Sequence, residues 1–378
     1  MKQALRVVVS VMLILLAASV SMAASKVGII TMTTAQGEED YRAAEVMQKE
    51  YGKDRIVHST YPDKFTEEQE TTIQQIVSFA ADKDMKAIIF TQGLPGVASA
   101  ITKVKEMGRE DIIFINCMPH EDPQVSAELA DVLVETDNVA RGRTIVQLAQ
   151  KMGAKTFVHY SFPRHMSVFM LAKRRDVMED ECKKIGMEFV FINAPDPTGD
   201  AGIPGAQQFI LEDQARQIAK YGKDTAFFST NCAMQEPLIK SILKNGGIYP
   251  EQCDPSPYHA LPGALGISIP SDKAGDTGYI IAEIDKKIVA EGGAGRFATW
   301  KVPAIMSMVF AATDYGILYG DGKIDRTDMK KFEELLRKRA GNVQAAIYDV
   351  AGQDGKKVKL DNFLLFVGES VIFGEGKK

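Results

Sequence analysis

The sequence predicts an α/β protein of two doubly wound parallel-sheet (Rossmann-like) lobes joined by a hinge. Three observations carry this. Short Val/Ile/Phe-rich runs such as Lys26–Met32 ("KVGIITM"), Met85–Phe90 ("MKAIIF") and Asp111–Asn116 ("DIIFIN") alternate with amphipathic stretches of helical length, the rhythm of βαβ units. The runs are apolar throughout rather than alternating, as parallel strands covered on both faces must be. After Asn138 the same rhythm starts again, so the 378 residues read as two domains of similar build.

Taken in order, residues 1–23 read as an export leader: Lys2 and Arg6, an apolar run from Val7 to Val20, then the small-x-small site Ser21-Met22-Ala23. Cleavage after Ala23 is expected, and no cysteine precedes Cys117 to carry a lipid anchor. The first lobe is expected over 24–137, with strands at Lys26–Met32, Arg55–Thr60, Met85–Phe90, Asp111–Asn116 and Asp131–Glu135. Its helices are expected at Glu38–Tyr51, Thr66–Ala81 and Val97–Met107, the second opened by a capping-box spacing from Thr66 to Gln69. The second lobe is expected over 138–272. Its strands are Thr156–Tyr160, Glu188–Ile192 and Ala226–Phe228, and its helices Ala140–Met152, Ser167–Ile185, Gln207–Tyr221 and Glu236–Lys244. Beyond it, part of 273–378 returns to the first lobe, with 300–378 as an extension packed on it. That stretch predicts helices at Thr277–Ala290, Ile305–Tyr319 and Asp328–Arg339 and strands at Val343–Tyr348 and Phe363–Phe366. The chain is expected to cross between lobes near Asp137-Asn138, Ser268–Asp272 and Trp300.

Charge narrows the function classes. The chain has 45 Lys and Arg against 50 Asp and Glu, a net −5, and loss of the leader's two basic residues makes it more acidic. A nucleic-acid partner would need a basic patch. No Gly-x-Gly-x-x-Gly follows the first strand, and no P-loop or Gly-x-Ser-x-Gly elbow occurs. His58, His120, His159, His165 and His259 lack metal spacing, so no cofactor or metal is expected. "GDGKIDRTD" (320–328) lacks the first two oxygen ligands of a calcium loop and reads as a plain turn. Export permits disulfides; Cys117, Cys182, Cys232 and Cys253 allow three full pairings, and Cys232 and Cys253 flank one helix.

Ligands of doubly wound sheets sit at the carboxyl ends of strands, near a topological switch point. Here those ends are polar: Thr31 and Thr33, Gln92, Asn116, Asp137, Ser161-Phe162-Pro163-Arg164, and Ser229-Thr230-Asn231. Helix capping explains any one of them. A whole rim of hydroxyl, amide and carboxyl groups predicts a small polar ligand between the lobes.

Three segments carry a family resemblance. "VETDNVARGRTIVQLAQKMGAKTFVHY" (134–160), "AFFSTNCAMQEPLIKSILKNGG" (226–247) and "CDPSP" (253–257) resemble the strand–Asp-Asn–helix, strand–Asn–helix–Gly and Asp-x-x-Pro segments of type I periplasmic binding proteins, ribose-binding branch, over about residues 26–300. The whole also resembles an exported family of anaerobic bacteria assigned to this fold. The resemblance implies a monomeric periplasmic protein that captures a sugar-, nucleoside- or amino-acid-like solute for a membrane ABC permease, with no enzymatic step. It implies ligand contacts from Asn231 and Asp254, from Asn116 where sugar binders often carry an acid, and from Arg175, with Arg174 as its rival. Ser268, at an expected crossing, completes the candidate set. Cys117 stands where the ribose branch has Arg, and the first strand lacks the Asn and paired aromatics that clamp a sugar ring. An exported enzyme using Cys117 or Cys232, and a sensory adaptor for a membrane receptor, are the alternatives on the same scaffold.

Overall fold

The computed structural model describes residues 24–270, 273, 275–352 and 355–376. The expected leader at 1–23 lies outside them.

The first sheet has seven strands in the order β10-β11-β5-β4-β3-β1-β2. They are β1 (Lys26–Thr31), β2 (Ile56–Thr60), β3 (Met85–Phe90), β4 (Ile113–Cys117), β5 (Val132–Thr136), β10 (Val343–Ala351) and β11 (Lys357–Gly368). All pairings are parallel except the β10–β11 hairpin. β4 and β5 are buried at every residue, which is why they read as continuous apolar runs. One face is covered by α1 (Thr34–Tyr51), α12 (Ala304–Gly320) and α13 (Met329–Ala340) around Ile29, Ile89, Ile115 and Tyr315. The other is covered by α2 (Gln69–Ala81) and α3 (Val97–Glu106) around Ile76, Ile88, Phe90 and Phe114.

The second sheet is β7-β6-β8: Glu188–Asn193, Thr156–Ser161 and Thr225–Ser229, all parallel. Single bridges from Ala226 to Ile248 and from Tyr249 to Phe297 carry it toward β9 (Ala298–Trp300), which pairs antiparallel with β12 (Ser370–Ile372). Its helices are α5 (Asn138–Lys151), the short α6 (Pro163–Ser167), α7 (Phe169–Ile185), α8 (Gly202–Tyr221), α9 (Gln235–Asn245), the short α10 (Leu261–Leu265) and α11 (Thr277–Ala290).

Three local expectations are corrected. Thr66 does not cap a helix: α2 begins at Gln69 after Glu68, without a side-chain cap. A helix at Pro123–Leu129 (α4), capped by Asp122, was too short to show a period. The expected crossing at 268–272 gives way to a later one. α11 buries Ile280, Ile284 and Ile288 with Val158 and Phe227 of the second sheet, so the chain stays there until β9. The crossings run from β5 to α5, from β9 to α12, and from β11 to β12, because β11 pairs with β5 while β12 pairs with β9. In the turn at 320–328, Asp321 accepts from Arg55 at 2.6 Å and from Lys323 at 3.2 Å.

Candidate functional site

Both sheets aim strand carboxyl ends at a shared cleft. In the first, the chain reverses between β1 and β3; in the second, between β6 and β8. The cleft is lined from the first lobe by Met32, Gln36, Phe65, Gln92, Met118, His120 and Glu135, and from the second by Asn138, Arg141, Arg164, Arg174, Thr230, Asn231 and Asp254.

The second-lobe wall is built on three arginines. Arg141, 1% exposed, spends all its nitrogens: to Glu251 Oε1 (2.9 Å), Thr136 Oγ1 (2.9 Å), and the carbonyls of Gln252 (3.0 Å) and Cys253 (2.7 Å). Arg164 grips Asp196 through two bonds of 2.8 and 2.9 Å and lies over Phe162 and the first lobe's Phe65. Arg174 differs. Its Nη1 donates to Asn138 Oδ1 at 2.6 Å and its plane lies on Phe228, but its Nε has no partner among the described residues. Burial, with Arg141 beside it, pulls its pKa down to about 9.

The first-lobe wall offers a complementary group. Glu135 receives the Asn138 amide on Oε1, while its buried Oε2 has no partner among the described residues. Burial lifts its pKa to about 8 against the pull of Arg174 and Arg141, which favours the protonated acid, a hydrogen-bond donor. His120 is pushed down to about 4 by burial and by Arg164, and His165, on Thr230 Oγ1 at 3.0 Å, is held well below its usual value by the same two causes; both are neutral. Asn116 Oδ1 is buried without a partner among the described residues. A Cβ at Gly93 would sit 2.2 Å from that oxygen, so glycine is required there. Met118 holds φ 47°, a strained backbone that places the turn after β4 against the cleft.

The twelve residues expected from sequence fall into four groups. Gln92, Arg164, Asn231 and Asp254 line the cleft. Thr31, Asn116, Ser161 and Phe162 are buried at the strand ends behind it: Thr31 bonds His58, Ser161 bonds Thr230, and Phe162 packs on His165 at 4.1 Å. Thr33 and Asp137 serve local structure, Thr33 on Asp63 and Asp137 capping α5 through Ala140 N at 2.9 Å. Arg175 lies outside, paired with Asp176 and stacked on Phe191, and Ser268 is exposed. The cleft residues that the sequence did not single out are chiefly Glu135, Arg141 and Met118. A charge inside a buried strand was the readable signal for Glu135.

Cys232, Cys253 and Asp254 form one edge of the cleft, and His259 lies just behind. All four cysteines are free thiols, so none of the three pairings left open is formed. The inner cleft has only about 50 Å³ of free space, room for little more than water. It joins, through Gln36 and Cys232, an outer groove of about 600 Å³ between α1 and the second lobe, lined by Glu39, Arg42, Glu236, Tyr258 and His259.

The family described as protein of unknown function DUF3798 matches residues 25–298. Two uncharacterised proteins of Treponema pallidum (strain Nichols) are 38% identical over 173 and 179 residues, covering 46% of this chain and 80% of each relative. Among solved structures, a Clostridium difficile 630 protein assigned as a transcriptional regulator superposes with TM-score 0.72 at 26% identity, covering 93% of this chain and 99% of that one. A periplasmic ribose ABC transporter protein of Conexibacter woesei DSM 14684 superposes with TM-score 0.51 at 15% identity, over 85% of this chain and 98% of its own. An Actinobacillus succinogenes 130z periplasmic solute-binding protein with bound D-allose gives 0.52 at 11% identity, over 82% and 99%. The fold is that of type I periplasmic binding proteins. No helix among the described residues is long and apolar enough to cross a membrane.

Proposed function

Starting from a chain that belongs to the DUF3798 family and has the type I fold, we propose that it is an exported binding protein that captures a small polar solute between its lobes for a membrane ABC permease. One observation carries this reading. Arg174 Nε and Glu135 Oε2 are buried, unpartnered and set on opposite walls of one cleft. Buried polar groups are normally satisfied, and leaving one bare costs about 1–3 kcal/mol. A solute that gives Arg174 an acceptor and takes the Glu135 proton as a hydrogen bond removes both costs at once.

The lobes act as the two halves of a clamp. Contacts from both walls favour the closed state, so solute shifts the open–closed population. The narrow inner cleft takes the polar head of the solute and the wider groove beside α1 takes the remainder. Thr31, Asn116, Ser161 and Phe162 would support the wall, while Gln92, Asn231 and Asp254 would face the solute. Arg175 and Ser268 have no part in this arrangement.

Mass spectrometry of small molecules released from the purified protein should identify a polar solute that also raises its melting temperature. Arg174→Ala should weaken that solute's binding by about tenfold or more, with an unchanged circular-dichroism spectrum. If Arg174→Ala and Glu135→Gln both bind it as tightly as the parent, the cleft is not the site.

A further inference from the structure

We propose that Cys232, Cys253, Asp254 and His259 form a binding site for a thiophilic divalent cation of the zinc class, held wholly by the second lobe where the inner cleft meets the outer groove. Their donor atoms all lie within 4.8 Å of one another. Cys232 Sγ stands 3.5 Å from Cys253 Sγ and 3.1 Å from Asp254 Oδ2; Cys253 Sγ stands 3.3 Å from that oxygen and 3.4 Å from His259 Nε2. With metal–sulfur bonds of about 2.3 Å and metal–nitrogen or –oxygen bonds of about 2.0–2.2 Å, tetrahedral donors stand roughly 3.3–3.8 Å apart. The spacing therefore matches one small cation at the centre, with slight spreading.

The donor chemistry selects the ion. Two sulfurs and an imidazole suit zinc and its neighbours, whereas magnesium and calcium take oxygen. A disulfide would use the two sulfurs alone and would leave the convergence of the carboxylate and the imidazole on them without a purpose. Cys253 and His259 are buried, while Cys232 and Asp254 are half-exposed toward the cleft, giving the ion a way in.

The loop that carries three of the donors is fixed in advance. Arg141 holds the carbonyls of Gln252 and Cys253. The Gln252 amide ties Ser256 O (2.9 Å) and His259 O (3.3 Å), and its oxygen accepts from Thr299 at 2.8 Å. Each sulfur binds as the thiolate, so uptake releases thiol protons to solvent. All four donors belong to one lobe, so the site needs neither closure nor solute; Asp254, which would also face the solute, is shared by the two readings.

The full mature chain, reduced and stripped with chelator, is titrated with Zn²⁺ alone and then with Co²⁺. We expect one equivalent of zinc, and with cobalt a thiolate-to-metal charge-transfer band and tetrahedral d–d bands. Cys253→Ser should lower zinc affinity by more than about 100-fold, while Cys182→Ser, remote from the cluster, should not change it. Asp254→Asn, which keeps the shape of the side chain, should also weaken binding; it serves if the cysteine variants fail to fold. Substoichiometric zinc in the reduced, folded parent would overturn the proposal. So would an octahedral cobalt spectrum, or a Cys232–Cys253 disulfide that, once reduced, leaves a protein with no zinc affinity. Arg174→Ala removes no zinc donor and should still take up one equivalent of zinc, so the two readings fail separately.

Discussion

The two walls of the cleft are made differently. The second-lobe wall carries three arginines, two of them already anchored: Arg141 on Glu251 and Arg164 on Asp196. The first-lobe wall carries one acid, Glu135, among neutral groups such as Gln92, Met118 and His120. Anchored charges lose little freedom when a ligand arrives, so the second lobe is the prepared half. The first lobe faces it with Gln92 and Met118, which carry no charge, and with His120 and Glu135, which burial shifts toward their neutral forms. Arg141 and Arg174 make the same point at close range. Both are 1% exposed, yet the first is saturated by protein and the second has a nitrogen to spare. Saturation suits Arg141 to a structural part, and the unmet donor is what the proposed solute reading assigns to a ligand.

The sharpest way to break this contrast is to remove an anchor. Glu251→Ala leaves Arg141 buried without its carboxylate and takes the acceptor from Trp300 Nε1, which donates to Glu251 at 2.7 Å. Severing a buried pair costs about 3–5 kcal/mol, and denaturant melts should show a loss of that order. A loss within 1 kcal/mol, the range of exposed pairs, would mean that Arg141 is not the keystone described here.

A smaller effect tests the other wall. The folded pKa of Glu135, about 8, lies above its ordinary value of 4.5. Its contribution to stability is therefore fully present below about pH 4.5 and is lost as pH rises through about 8. Glu135→Gln removes that term, so the parent should lose stability relative to the variant between those pH values. Parallel melting curves for the two would refute the shift. The smallest expected effect is at Arg175→Ala: the residue pairs with its neighbour on the surface, and solute affinity and stability should change by no more than a few tenths of a kcal/mol. A large loss of affinity there would move the site.

The fold was legible because both its periods are long and repeated. β3 and α11 begin and end where the apolar pattern does. The polar rim was legible as well, since strands announce their ends. Which side chain reaches the cleft was not, because that depends on helical phase. Arg174 and Arg175 are successive residues of α7, about 100° apart around its axis, and this one step separates a buried guanidinium from a surface one. The cluster at Cys232 was hidden for another reason. Its donors come from a turn after β8 and from a loop twenty residues on, and a spacing of that kind has no local signature. The third crossing escaped notice because β11 and β12 are separated by a single residue, Glu369, yet belong to different sheets.

That third crossing bears on how the molecule moves. A Cβ at Gly368 would meet the Trp300 ring at 2.7 Å, and the Arg141 guanidinium lies over the same ring at 5.7 Å. Each of the three straps that join the halves thus contributes to one indole-centred knot: Arg141 from the first, Trp300 from the second, Gly368 from the third. The fulcrum is a packed solid rather than three loose threads. Under the proposed solute capture, rotation about this knot would swing the far jaw, beside α1, through the widest arc, and a cargo would enter from that side.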